Sequence, residues 1–136
     1  MNSAEKNKIL IVDDEPSNLR LLTHILNREY SVFAAKDGQT CIEMAKEHRP
    51  DLIMLDVVMP EMDGYEALST LKSSEKTRNI PVIIITGLDT SEENAEKNVK
   101  EMLSQAAGCI HKPFNAEIIL SKVRRQMEIT GRLCAE

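Results

Sequence analysis

Aromatic residues are scarce in this sequence: its 136 residues include no Trp, two Tyr and two Phe. A close-packed core must therefore be aliphatic, built from Ile, Leu, Val, Met and Ala. No apolar run approaches the roughly 20 residues that a membrane-spanning helix needs. Met1 to Lys8 also lack the apolar stretch of a secretory signal. A cytoplasmic location, with no membrane partner, is the expectation. Basic residues are outnumbered, 17 Lys and Arg against 22 Asp and Glu, for a formal charge of -5. That argues against direct nucleic-acid binding, which needs clustered cations facing phosphate. Cysteine is sparse and odd in number. Cys41, Cys109 and Cys134 stand at no metal-ligand spacing and read as free, partly buried thiols in a reducing compartment. Cys109 and His111 would share one face of a strand, but two ligands do not close a zinc site.

What is present suits one soluble domain: 42% hydrophobic and 29% charged residues, at a length able to bury a core. Short apolar runs alternate with amphipathic stretches. Strands are predicted at Lys8 to Val12, Tyr30 to Ala35, Leu52 to Leu55, Ile80 to Ile85 and Gly108 to His111. Runs apolar throughout suggest strands covered on both faces, as in a parallel sheet. Between them lie predicted helices. Pro16 suits a first helical turn, with Leu19, Leu22, Ile25 and Leu26 at helical spacing behind it. Thr40 to His48 is a second helix, with Ile42 and Ala45 facing inward. Asp63-Gly64-Tyr65-Glu66 has the form of a capping box, opening a third helix to about Lys72. Thr90-Ser91-Glu92-Glu93 has the same form and opens a fourth. Asn115 is placed to cap a fifth, striped by Ile119, Val123 and Met127. Five strand–helix units in succession predict an α/β fold: a doubly wound parallel sheet with five flanking helices and right-handed crossovers. The expected domain runs over residues 8–128, after a polar extension at 1–7 and before a tail or linker start at 129–136.

Four predicted strands end in chargeable or reactive side chains: Asp13-Asp14, Asp56, Thr86 and Lys112. In an open parallel sheet, ligands bind beyond the carboxyl ends of the strands. Each residue has a plain reading. Asp14 caps the next helix, Asp56 faces water, Thr86 is a β-former, and Lys112 is solvated. That reading covers each residue singly and their common location poorly. Carboxylates drawn together repel, which a divalent cation offsets, and oxygen-only ligands favour Mg²⁺ or Mn²⁺. Carboxylates, a hard metal, a lysine and a hydroxyl suit phosphoryl transfer, in which the protein supplies positioning and charge neutralisation. A carboxylate can itself be the nucleophile, forming an aspartyl phosphate.

Val12-Asp13-Asp14-Glu15, Asp56-Val57-Val58-Met59-Pro60 with Asp63-Gly64, Thr86-Gly87 and Lys112-Pro113-Phe114 resemble the receiver domains of bacterial two-component response regulators. The resemblance covers about Lys8 to Met127. It implies a flavodoxin-like fold with strand order 2-1-3-4-5. It implies that Asp56 accepts phosphate from a phosphohistidine on a sensor histidine kinase or phosphotransfer protein, with no turnover substrate. Asp13, Asp14, Asp56 and the Val58 carbonyl would hold Mg²⁺. Lys112 would pair with a phosphoryl oxygen, the Lys112–Pro113 bond would be cis, and Thr86 would move to reshape the signalling face. An effector domain in a longer chain, and a homodimer through the fourth-helix region, are further expectations.

Three features depart from the family pattern. Cys109 stands where many relatives carry an aromatic switch residue, and a thiol is too small to fill an aromatic pocket. The segment between Thr86 and Lys112 is a few residues longer than usual. Gln105-Ala106-Ala107-Gly108 lacks the common Gly-Ala-Asp pattern. Val58 and Leu88, two residues after Asp56 and Thr86, are apolar and unable to orient an attacking water, so slow self-dephosphorylation is expected. Two alternatives stand beside the receiver reading. One is an interaction module of the same fold that ignores phosphorylation. The other is an aspartate-nucleophile phosphatase, disfavoured because Val58 stands where a second acid would act.

Overall fold

The chain is described from a computed structural model over residues 6–56, 64–86, 104–112 and 114–135, with backbone alone at 64–65 and 130–135. In chain order the elements are β1 (Lys8–Val12), α1 (Pro16–Leu26), β2 (Ser31–Ala35), α2 (Gly38–His48), β3 (Leu52–Asp56), α3 (Gly64–Ser73), β4 (Val82–Thr86), β5 (Gly108–His111) and α4 (Ala116–Ala135). The five strands form one parallel sheet in the order β2-β1-β3-β4-β5. The fourth helix expected after Thr90 lies outside the described residues, as do the Asp63 end of the capping box and the Lys112–Pro113 bond. No helix among the described residues is long and apolar enough to cross a membrane.

Strand alternation sorts the core into two layers. Leu10, Val12, Ile53, Leu55, Val82 and Ile84 face α2 and α3, meeting Cys41, Ile42, Ala45, Ala67, Leu68 and Leu71. Ile9, Ile11, Leu52, Met54, Ile83 and Ile85 point the other way, onto Leu22 and Leu26 of α1 and Ile119 and Val123 of α4. Burying each Val, Leu, Ile or Met side chain of these layers contributes about 1.5–3 kcal/mol. β3 and β4 are buried along their whole length, whereas the edge strands β2 and β5 are only partly covered. That difference explains why the second apolar run reads weaker in sequence.

Local chemistry sets the element ends. Pro16 opens α1 behind an extended Glu15. Asp37 caps α2, its Oδ1 accepting the Thr40 N–H at 2.7 Å, so this helix begins at Gly38, earlier than the predicted Thr40. Arg49 closes α2 with a left-handed φ of 46°. Asn115 Oδ1 accepts the Ile118 N–H at 2.9 Å, the expected cap of α4. Two strands start later than their apolar runs suggest. Tyr30 closes the end of α1 through its N–H to the Leu26 carbonyl at 3.0 Å. Ile80 donates to the Thr77 carbonyl at 3.0 Å in the turn before β4. Both side chains are buried from loop positions. Cys41, expected to be partly buried, is fully buried, and burial pushes its thiol up to about 12.

Candidate functional site

The carboxyl ends of β1, β3, β4 and β5 bring the chargeable residues to one rim. Asp13 follows β1 directly, and its N–H reaches the Ala35 carbonyl at 3.1 Å, extending the ladder to β2. Asp56 ends β3 opposite Ile85, and Thr86 ends β4 opposite His111. The Lys112 N–H then donates to the Thr86 carbonyl at 2.8 Å. Sheet register therefore places Lys112 beside the strand ends that carry Asp56 and Thr86.

The side chains converge. Lys112 Nζ donates to Asp56 Oδ2 at 2.9 Å. Asp13, Asp14 and Asp56 each offer a carboxylate oxygen, and these atoms lie within 4.8 Å of one another. Asp13 and Asp56 are 1% and 2% exposed, while Asp14 faces solvent. A buried hydroxyl, Thr86, completes the rim. The capping role weighed for Asp14 does not hold: Glu15 occupies the N-cap of α1 and makes no side-chain cap hydrogen bond. Val58 and Leu88 lie outside the described residues. Cys109 sits half-buried on β5, packed against the layer beneath α2 and α3, and burial raises its thiol while the Lys122 charge opposes. His111, on the same strand, is exposed.

Electrostatics mark this rim as crowded. Burial holds the Asp13 carboxyl above its ordinary value; the Glu15 N–H opposes, the Asp56 charge pushes further up, and Lys112 and Asn18 oppose. For Lys112, burial alone would weaken the ammonium. The hydrogen bond and charge of Asp56 outweigh it, with help from Asp13 and Glu15, and the group titrates above its usual range. Two residues without a role in the sequence reading belong here. Asp13 Oδ1 accepts the Glu15 N–H at 2.9 Å, and Asp13 Oδ2 accepts from Asn18 Nδ2 at 3.1 Å. The available signal is their position at the N-cap and in the first turn of α1, directly after the acidic pair.

A parallel 2-1-3-4-5 sheet with this rim defines the flavodoxin-like, CheY-like class of receiver. The chain belongs to the response regulator receiver domain family, which it matches over residues 9–124. It is 38% identical over 138 residues to the response regulator PleD of Caulobacter vibrioides, covering 92% of this chain and 30% of that protein. It is 31% identical to the polar-differentiation response regulator DivK of Brucella anthropi, covering 85% of this chain and 92% of DivK. The chemotaxis response regulator CheY4 of Vibrio cholerae superposes with a TM-score of 0.79 at 32% identity, covering 89% of this chain and 98% of CheY4. The chain thus spans less than a third of PleD and nearly all of DivK. Receiver domains are signalling domains of two-component systems.

Proposed function

We propose that this receiver takes a phosphoryl group onto Asp56 and transmits the event as a change of surface. The observation that carries the reading is Lys112 Nζ, 2.9 Å from Asp56 Oδ2, in a rim shared with the oxygens of Asp13 and Asp14. An Asp56 carboxylate oxygen attacks the phosphorus of a phosphohistidine on a sensor kinase or phosphotransfer protein. The oxygen–phosphorus bond forms as the phosphorus–nitrogen bond breaks, and the electron pair leaves with the imidazole nitrogen. Lys112 is placed to shift from the carboxylate to a phosphoryl oxygen, and the Thr86 hydroxyl to turn toward the same group. The burial of Asp56 limits access of water to the acyl phosphate.

The donor set fits a hard cation. Three carboxylates with oxygens within 4.8 Å suit Mg²⁺ or Mn²⁺ and no soft metal. Asp13, Asp14 and Asp56 would hold the ion, joined by the Val58 carbonyl that the family pattern implies. Bound there, it would neutralise the acids and the charge of the transferred group.

The finer expectations belong to the same proposal: a receiver domain at 8–128, a cytoplasmic location, an effector domain elsewhere on a longer chain, and slow self-dephosphorylation. Val58→Asn should speed phosphate loss. Cys109, in place of an aromatic, would leave the signalling face to respond mainly through Thr86.

The test is incubation with acetyl phosphate or phosphoramidate, with and without Mg²⁺, followed by intact mass. A gain of one phosphoryl group that needs Mg²⁺ and disappears in Asp56→Asn is expected. No gain under any condition would leave the phosphorylation-independent module as the better account.

A further inference from the structure

The first turn of α1 presents a side chain that the phosphoryl-transfer reading leaves unused. Asn18 is half-buried, and its Nδ2 donates both to Asp13 Oδ2 at 3.1 Å and to Glu15 Oε2 at 3.2 Å. Asp13 Oδ1 accepts the Glu15 backbone N–H at 2.9 Å. Both Asp13 oxygens are therefore held by donors from one helix start. A carboxylate alone turns freely about its last bond, and two donors on its two oxygens remove that freedom. An ionised carboxylate has about four lone-pair sites, so each oxygen keeps one free for a further partner. The chemistry of residue 18 matters as much as its reach. A neutral amide orients an anion without cancelling its charge, whereas a Lys or Arg here would compete with a cation for the same oxygens.

We propose that Asn18 is a positioning residue: its amide holds the Asp13 carboxylate in the orientation that receives a divalent cation, and draws the Glu15 carboxylate alongside. The inference rests on the reading of Asp13, Asp14 and Asp56 as the cation site. Partners that orient metal-ligating side chains are typically worth about 10–100-fold in metal affinity.

The experiment is calorimetric titration of the full chain with MgCl₂, without any phosphodonor, for the natural protein, Asn18→Leu, Asn18→Ala and Asp13→Asn. Thermal melting of each in EDTA runs alongside. Asn18→Leu, similar in size but without a donor, should weaken Mg²⁺ binding about 10-fold or more, while its melting temperature in EDTA stays near that of the natural chain. Combining Asn18→Leu with Asp13→Asn should bind Mg²⁺ no more weakly than Asp13→Asn alone, because Asn18 acts through Asp13. Unchanged Mg²⁺ affinity in both Asn18 variants would overturn the proposal and leave the cation site standing. So would metal-free unfolding of both variants, which would make Asn18 a structural support. No Mg²⁺ binding by the natural chain would instead sink the cation reading beneath it.

Discussion

Asp13 sits in a setting that opposes its charge, being nearly fully buried, close to Asp56 and held above its ordinary pKa. Asp37 is the contrasting carboxylate. It is half-buried, and the Thr40 N–H, followed by the Thr40 hydroxyl, lowers it from an ordinary value of 3.8. A lowered folded value means that the cap's contribution is complete above that ordinary value. It fades as pH falls through the folded one. Asp37→Ala should cost about 1 kcal/mol in urea unfolding near neutral pH. The gap to the natural chain should narrow at about pH 3. An equal gap at both pH values would assign the effect to helix propensity instead of the cap.

At the scale of elements, most of the fold was legible because the central strands β1, β3 and β4 are buried on both faces and read as unbroken apolar runs. The acidic and basic rim was legible for a related reason: a charge directly after such a run has few structural uses. What was not legible came from residues whose polarity or hydrophobicity serves a turn. Tyr30 and Ile80 are apolar, yet close the end of α1 and the turn before β4 respectively. Thr77 is polar, yet 1% exposed, and its hydroxyl donates to the Leu71 carbonyl at 2.6 Å, stitching the turn to the end of α3. No local pattern announces that bond, which spans six residues. Lys72 reinforces it, Nζ donating to the Ile80 carbonyl at 2.9 Å. Thr77→Val keeps the shape and removes the donor. Stability should fall by about 1–3 kcal/mol, read from chemical denaturation, with Mg²⁺ affinity unaltered.

Across the whole molecule, two aliphatic layers clamp the sheet and hold its carboxyl edge as a rigid frame for mutually repelling acids. A cation that binds only the folded chain must then stabilise it by mass action, about 2.7 kcal/mol at a hundredfold excess over its dissociation constant. Melting temperature should rise with Mg²⁺, return to baseline with EDTA, and respond weakly in Asp13→Asn and Asp14→Asn. A response equal in all three chains would place the ion elsewhere.

The most direct measurement treats the phosphodonor-reacted protein with borohydride, which reduces an acyl phosphate, and maps the product by peptide mass spectrometry. The account predicts homoserine in place of Asp56 and at no other acid, formed only when Mg²⁺ accompanied the donor. Reduction at Asp13 or Asp14, or an Asp56 product formed equally in EDTA, would contradict it.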